Sequence, residues 1–229
     1  MKNKIAVVTG ANGGLGRFVT QALLDAGATV VGVSRDIRQA DFNRPAFTAM
    51  PADLSTAAGA ARMVESVVTR FGRLDVLAHT VGGFSGGKPI AETDDATFQR
   101  MVDMNLYSTF YILRAAIPAL RKSGGGRIIA IGSRAALEPG ATVGAYGASK
   151  AAMVSLIRTV ALENKDAGLT ANVILPGTID TPANRQAMPK ADVAKWVQPA
   201  TIASLIVWLA GESAKDVNGA LIPVYGTDV

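Results

Sequence analysis

Thr9-Gly10-Ala11-Asn12-Gly13-Gly14-Leu15-Gly16 is the stretch on which the fold of this 229-residue chain turns. It follows Ile5, Ala6, Val7 and Val8, which read as a buried strand, and it opens a segment, 15–26, of helical period. Glycine between a strand and a helix lets the backbone approach a pyrophosphate closely. The helix N-terminus then offers free N–H groups and a partial positive charge to the anion. A glycine cluster alone is a weak signal. Strand before, helix after and a place at the start of an alternating chain supply the context that phosphate binding requires.

Outward from that turn the pattern repeats. Short β-branched runs at 5–9, 29–33, 76–80, 127–131, 173–175 and 221–224 read as buried strands, and 47–52 is a weaker strand placed by the alternation. Between them lie segments of helical period at 15–26, 57–71, 94–120, 145–164 and 201–210. Ser55 stands as a start signal for the second helix, and Gly27, Gly72 and Gly168 stand as stop signals. Parallel strands joined by helices must be covered on both faces, which accounts for strands that are nearly all apolar. The expected fold is α/β: one Rossmann domain over residues 1–229, a doubly wound parallel sheet with helices on both faces. No Pro-, Ser- or charge-rich linker divides it, and no internal repeat is visible. Two long loops, 82–93 and 177–199, are expected to shape the substrate site.

Composition removes other chemistries. The chain has no cysteine, so disulfides, thiolate nucleophiles and sulfur-ligated zinc are excluded; a cytoplasmic protein is expected. His79 is the only histidine, which rules out a two-histidine metal site, and no metal is expected. A net charge of +5 would suit a polyanion, but the Lys and Arg residues are dispersed with no run of four, so no nucleic-acid partner is expected. Only four apolar residues follow Lys4, too few for a signal-peptide core. The uncharged stretch 196–211 contains Gln198, Pro199, Thr201 and Ser204 and falls short of the roughly 20 residues of a membrane span. No membrane partner is expected.

The spacing T-G-x-x-x-G-x-G from Thr9 to Gly16 resembles the short-chain dehydrogenase/reductase family. The resemblance implies a nicotinamide dinucleotide cofactor held at Gly10, Asn12, Gly13, Gly14, Leu15 and Gly16. It implies an adenine contact from Asp53, beside Leu54; the lesser alternative is that Asp53 simply leads into the helix capped near Ser55. At the end of the second strand an acidic residue would bind a ribose 2′-hydroxyl and an Arg a 2′-phosphate. The residues there are Ser34, Arg35 and Asp36. A small neutral Ser34 followed by a planar guanidinium favours NADP(H); Asp36 turned inward, or a solvated Arg35, would leave NAD(H) possible.

Tyr146-Gly147-Ala148-Ser149-Lys150 places a phenol and an ammonium on one face of a helix. Ser133, thirteen residues before Tyr146, follows a strand at its carboxyl end, where open α/β sheets bind ligands. Delivering hydride to a carbonyl builds negative charge on its oxygen, so one donor must supply a proton and another must hold the oxygen. Tyr146 is the candidate acid and Ser133 the second donor, both touching substrate. A Lys150 cation and an oxidised nicotinamide are expected to draw the phenol toward neutrality. The three residues resemble the Ser, Tyr and Lys of the family, which further implies that Lys150 holds the nicotinamide ribose. Asn105 resembles the family's helical Asn, whose backbone carbonyl positions a water in a relay to the Lys. Gly82 falls in the cofactor site by the same correspondence. Pro176, Gly177, Thr178, Ile179 and Thr181 match the segment that contacts the nicotinamide carboxamide.

Two departures stand out. His79-Thr80-Val81-Gly82 replaces the usual Asn-Asn-Ala-Gly, and His79 reads as a satisfied core residue rather than a catalyst; Val224-Tyr225-Gly226 replaces Val-Asp-Gly. The glycine loop around Phe84 and the stretch 175–192 look like dihydropteridine reductases, where the loop aromatic lies in the substrate site; Phe84 takes that place or merely anchors its loop. The implied function is hydride transfer between NAD(P)H and a small carbonyl or alcohol substrate by a homodimer or homotetramer. Reduction of quinonoid pterins and a non-catalytic dinucleotide sensor are the alternatives.

Overall fold

The structure is a computed structural model that describes residues 1–227. Seven strands, β1 (Ile5–Thr9), β2 (Thr29–Ser34), β3 (Phe47–Pro51), β4 (Val76–His79), β5 (Arg127–Ile131), β6 (Thr170–Pro176) and β7 (Leu221–Val224), form one sheet in the order β3-β2-β1-β4-β5-β6-β7. All neighbouring pairs are parallel. Each connection must therefore cross a face of the sheet. The crossings use α1 (Gly16–Asp25), α2 (Ala57–Phe71), α3 (Asp95–Val102), α4 (Ser108–Lys122), α5 (Gly144–Glu163), α6 (Pro182–Ala187) and α7 (Pro199–Ala210). The strand order reverses between β1 and β4, so the loops that follow them part and leave a crevice at the carboxyl edge.

The side-chain alternation of β1 divides the core. Ala6 and Val8 pack with Val19 and Leu23 of α1 and Ile202 and Ile206 of α7, whereas Ile5 and Val7 face Met63 of α2, Ile112 of α4 and Ile157 of α5. Leu23, Ile112, Ile157 and Ile206 are wholly buried, and each contributes about 1.5–3 kcal/mol by leaving water. The doubly wound parallel sheet inferred from the apolar runs is present, including the weak edge strand β3.

Four local expectations need correction. The stretch 94–120 is not one helix: a π-helical turn, Asp103–Tyr107, separates α3 from α4, with the Ser108 N–H bonded to the Asp103 carbonyl. The buried positions Met101, Asn105, Ser108, Thr109, Ile112 and Leu113 keep three-to-four spacing through this turn, so periodicity cannot register it. Strand β6 starts at Thr170, three residues before the apolar run, because the Asn172 amide donates to the Val217 carbonyl (2.8 Å) and accepts from the Ala220 N–H (2.9 Å). Thr56, not Ser55, caps α2 by accepting from the Gly59 N–H at 3.1 Å. Finally, the loop 177–199 contains α6, which begins at a Thr181 cap with Pro182 in its first turn.

Candidate active site

The β1–α1 turn is built so that side chains cannot occupy it. Gly10 has φ +69°, and a Cβ on Gly16 would land on the Gly10 carbonyl oxygen. The Gly10 N–H donates to Val33 O (2.7 Å) and the Gly13 N–H to Gly10 O (2.9 Å), which ties the turn to the end of β2. No side chain caps α1; the Arg17 and Phe18 N–H groups bond the Gly13 and Leu15 carbonyls, and the helix start presents the positive end of its dipole to an anion. Leu15 is buried beneath the turn, in the layer under α1 and α7. From across the crevice the Thr181 methyl approaches Gly14: a Cβ there would meet it at 2.9 Å. These features fit a dinucleotide pyrophosphate.

At the end of β2 the polar groups are interlocked. Ser34 Oγ donates to Asn12 Oδ1 (2.7 Å), and Asn12 Nδ2 donates to Asp36 Oδ1 (3.0 Å). The Asn12 bond holds the Asp36 carboxyl below its ordinary value, so it is ionised near neutrality. Arg35 is exposed, and its positive charge reaches both Asp36 and Asp53. Asp53 accepts from the Ser55 N–H at 3.0 Å and thus does lead into α2, while the side chain of Leu54 lies in the core.

Ser133, Tyr146 and Lys150 come together at the carboxyl end of β5. Ser133 is extended and buried and accepts from the Ala135 N–H (3.2 Å), which fixes its oxygen in the loop. Tyr146 and Lys150 share the inward face of α5. Burial raises the Tyr146 phenol above its ordinary value, and the Ser133 hydrogen bond pulls it back in part. With its phenol held above the ordinary value, Tyr146 is protonated near neutrality, as an acid needs. Lys150 is buried, donates to the Ile131 carbonyl at 2.8 Å, and is lowered by desolvation to about 8.

Asn105 occupies the π-helical turn and is buried. Its amide exchanges two bonds with Gly83, accepting from the N–H (2.9 Å) and donating to the carbonyl (3.0 Å), and donates to Ser149 Oγ (3.0 Å). Its backbone carbonyl accepts from Thr109 Oγ1 at 2.7 Å. A Cβ on Gly82 would lie 3.0 Å from Lys150 Nζ, so the backbone of the glycine loop runs against the ammonium. Phe84, two residues on, stands edge-on to Tyr146, with ring centroids 5.0 Å apart, and is 66% exposed.

The segment after β6 is anchored from behind. The Gly177 N–H donates to Val224 O (2.9 Å), Thr178 O accepts from the Val197 N–H (2.8 Å), and Ile179 pairs with Val197. The Asp180 carboxylate grips Arg185 through two bonds of 2.6 and 2.8 Å. His79 is buried and lowered by desolvation to about 3, hence neutral. Its ring bonds Thr9 and Thr109, the satisfied core state expected of it. Tyr225 lies under the Arg134 guanidinium (4.9 Å), beside the Ser133 loop. Sequence reasoning missed Thr9, Thr109 and Ser149 as neighbours of the site. Only Ser149, a small polar residue inside the Tyr-to-Lys interval, carried a visible signal. Among the described residues no cluster of His, Asp or Glu could hold a metal, and no helix is long and apolar enough to cross a membrane.

The model for short chain dehydrogenases matches residues 4–192. A rhamnolipids-biosynthesis 3-oxoacyl-(acyl-carrier-protein) reductase of Pseudomonas aeruginosa is 32% identical over 99% of this chain and 96% of its own length. A D-β-hydroxybutyrate dehydrogenase of Rhizobium meliloti is 30% identical over 97% of each. The solved structure of a short-chain type dehydrogenase/reductase from Mycobacterium ulcerans superposes with a TM-score of 0.92 at 28% identity, covering 99% of this chain and 90% of that one. Together with the sheet order and the glycine turn, these matches make the chain an oxidoreductase of the short-chain dehydrogenase/reductase family.

Proposed function

We propose that residues 1–229 act as one NAD(P)-binding domain that interconverts a small carbonyl and its alcohol, with Tyr146 as the general acid and base. One observation carries this reading: the buried Lys150, the Ser133 hydroxyl and the Tyr146 phenol converge at the edge of the crevice that the glycine turn opens. Both named relatives act on a carbonyl and alcohol pair at the third carbon of an acyl chain, which supports a CH–OH/C=O reaction.

Gly10, Asn12, Gly13, Gly14, Leu15 and Gly16 would hold the pyrophosphate, with Asp53 and Leu54 near the adenine. Gly82, Lys150 and the segment Pro176, Gly177, Thr178, Ile179 and Thr181 would hold the nicotinamide end. The bound cofactor supplies the hydride. Ser133 donates a hydrogen bond to the carbonyl oxygen, and Tyr146 gives it a proton as charge builds there. Lys150 keeps a positive charge near the phenol and stabilises the phenolate left when the proton moves to the substrate oxygen. Asn105 fixes the glycine loop over Lys150. Assaying NADPH oxidation by the purified protein against ketones, quinones and quinonoid dihydropterin tests the reading; turnover of none of them contradicts it.

NADP(H) is the favoured cofactor, through a charge-assisted bond from Arg35 to the 2′-phosphate. Arg35→Ala should weaken NADPH by roughly 10- to 100-fold and leave NADH nearly unchanged, measured by fluorescence titration. The ionised Asp36 opposes the phosphate, so Asp36→Asn should tighten NADPH. Equal effects of Arg35→Ala on both cofactors would remove the preference.

The exposed ring of Phe84 beside Tyr146 favours a planar substrate as a second reading, of which a quinonoid pterin is one case. Phe84→Ala should raise KM for planar substrates by the equivalent of about 0.5–1.5 kcal/mol and spare small aliphatic ketones. An unchanged KM would make Phe84 a loop anchor.

A homodimer or homotetramer is also proposed. Tyr107, Phe110 and Leu162 are exposed on the π-helical turn, α4 and α5, which leaves large apolar side chains for a second copy to cover. Light scattering at micromolar concentration should give at least twice the chain mass; a monomer contradicts it.

A further inference from the structure

We propose that His79 is a positioning residue, the central link of a buried hydrogen-bond chain that runs from the phosphate cradle to the backbone of Tyr146. The proposal rests on the reading of Tyr146 and Asn105 given above. The chain is continuous. Thr9 Oγ1 bonds His79 Nδ1 at 2.8 Å, His79 Nε2 bonds Thr109 Oγ1 at 3.0 Å, and Thr109 Oγ1 donates to the Asn105 carbonyl at 2.7 Å. From the same Asn105, Nδ2 donates to Ser149 Oγ (3.0 Å), and Ser149 Oγ donates to the Tyr146 carbonyl (2.8 Å). Thr9, His79, Asn105, Thr109 and Ser149 are all buried, so water does not compete for these bonds.

The proton positions follow from counting donors. Thr109 spends its one hydroxyl proton on the Asn105 carbonyl and can only accept from His79, so Nε2 carries the imidazole hydrogen. Nδ1 is then bare and accepts the proton of Thr9, whose oxygen receives the Thr80 N–H at 3.2 Å. Buried beside Lys150, the ring stays neutral.

His79 ends β4 and is paired in register with Thr9 of β1, one residue before Gly10; Thr109 and Asn105 belong to α4 and the π-helical turn; Ser149 and Tyr146 belong to α5. A rigid ring with an acceptor on one side and a donor on the other therefore fixes the cradle at a set distance from the helix that carries the proton donor. An apolar residue at 79 would leave the buried Thr9 hydroxyl proton without its acceptor and take from Thr109 Oγ1 the donor it accepts from. Histidine thus does more here than close the sheet: it bonds the helix layer as well as the neighbouring strand.

Because His79 is the only histidine, labelling with ¹⁵N-histidine reports a single ring. The expected spectrum is the Nε2–H tautomer with no titration between about pH 5 and 9, where a free imidazole would titrate. In kinetics, Thr109→Val and His79→Leu should each lower kcat by about 10-fold or more, as small misplacements of reacting groups do, with the KM for the carbonyl and the Kd for the cofactor nearly unchanged. His79→Asn and Thr109→Ser, which keep a donor and an acceptor, should restore most of the rate. The double variant His79→Leu/Thr109→Val should be no slower than either single one. An Nδ1–H tautomer, a titrating ring, additive losses, or a fall in Tm with kcat intact would each overturn the proposal. Should His79→Leu fail to fold, Thr109→Val and its serine rescue decide the kinetic arm. A parent protein that turns over no carbonyl defeats the proposed function, and the tautomer still decides the hydrogen-bond chain.

Discussion

Replacing Tyr146 by Phe should lower kcat for carbonyl reduction by at least about 10² while leaving cofactor affinity nearly intact. The substitution removes one oxygen and keeps the ring. That ring would still pack against Phe84, so the loss isolates proton transfer from site architecture. Burial keeps the phenol protonated at neutral pH, and the Ser133 bond prepares it to release its proton toward a developing alkoxide. Steady-state kinetics with NADPH, paired with fluorescence titration of the cofactor, separate the two effects. Retained turnover would transfer the acid role to another group.

Lys150→Met should abolish most turnover and weaken the cofactor together, because the ammonium both tunes the phenol and holds the ribose in the proposed mechanism. The fold should not suffer. Burial lowers Lys150 to about 8 from an ordinary value near 10.5, so the native state disfavours its charge. Between those two values the unfolded chain binds more protons than the native one, so stability gained from this group rises with pH through that window and is smallest below about 8. Removing the charge should therefore hold or raise Tm at neutral pH while the rate falls. For the parent enzyme, reductive turnover should decline as pH rises past about 8, where the ammonium loses its proton. A variant that loses stability along with activity would make Lys150 a structural residue.

Most strands were legible because they are apolar on both faces, as a parallel sheet between two helix layers demands. Ile5, Val7 and Ala6, Val8 face opposite layers yet read alike in sequence. Glycines 10 and 16 were legible because only glycine satisfies the turn. The π-helical turn at Asn105 left no mark, since the apolar spacing passes through it undisturbed. Thr170 and Asn172 hid the start of β6, the polarity of Asn172 being answered by partners 45 or more residues away in sequence. The same limit applies to the site: Ser133, Tyr146 and Lys150 announce themselves by type and spacing, whereas Thr9 and Thr109 gain meaning only from neighbours the fold brings to them. Helix α6 was the exception, because Thr181-Pro182 is a start signal that the loop reading passed over.

The most direct measurement is transfer of deuterium from NADPH labelled at the hydride position of its nicotinamide C4 to a ketone, read by mass spectrometry of the alcohol. Hydride transfer predicts one deuterium on the carbinol carbon of the product, formed by the parent protein and at least about 10²-fold more slowly by Tyr146→Phe. Cofactor that binds with no alcohol formed, or alcohol without deuterium, would contradict it.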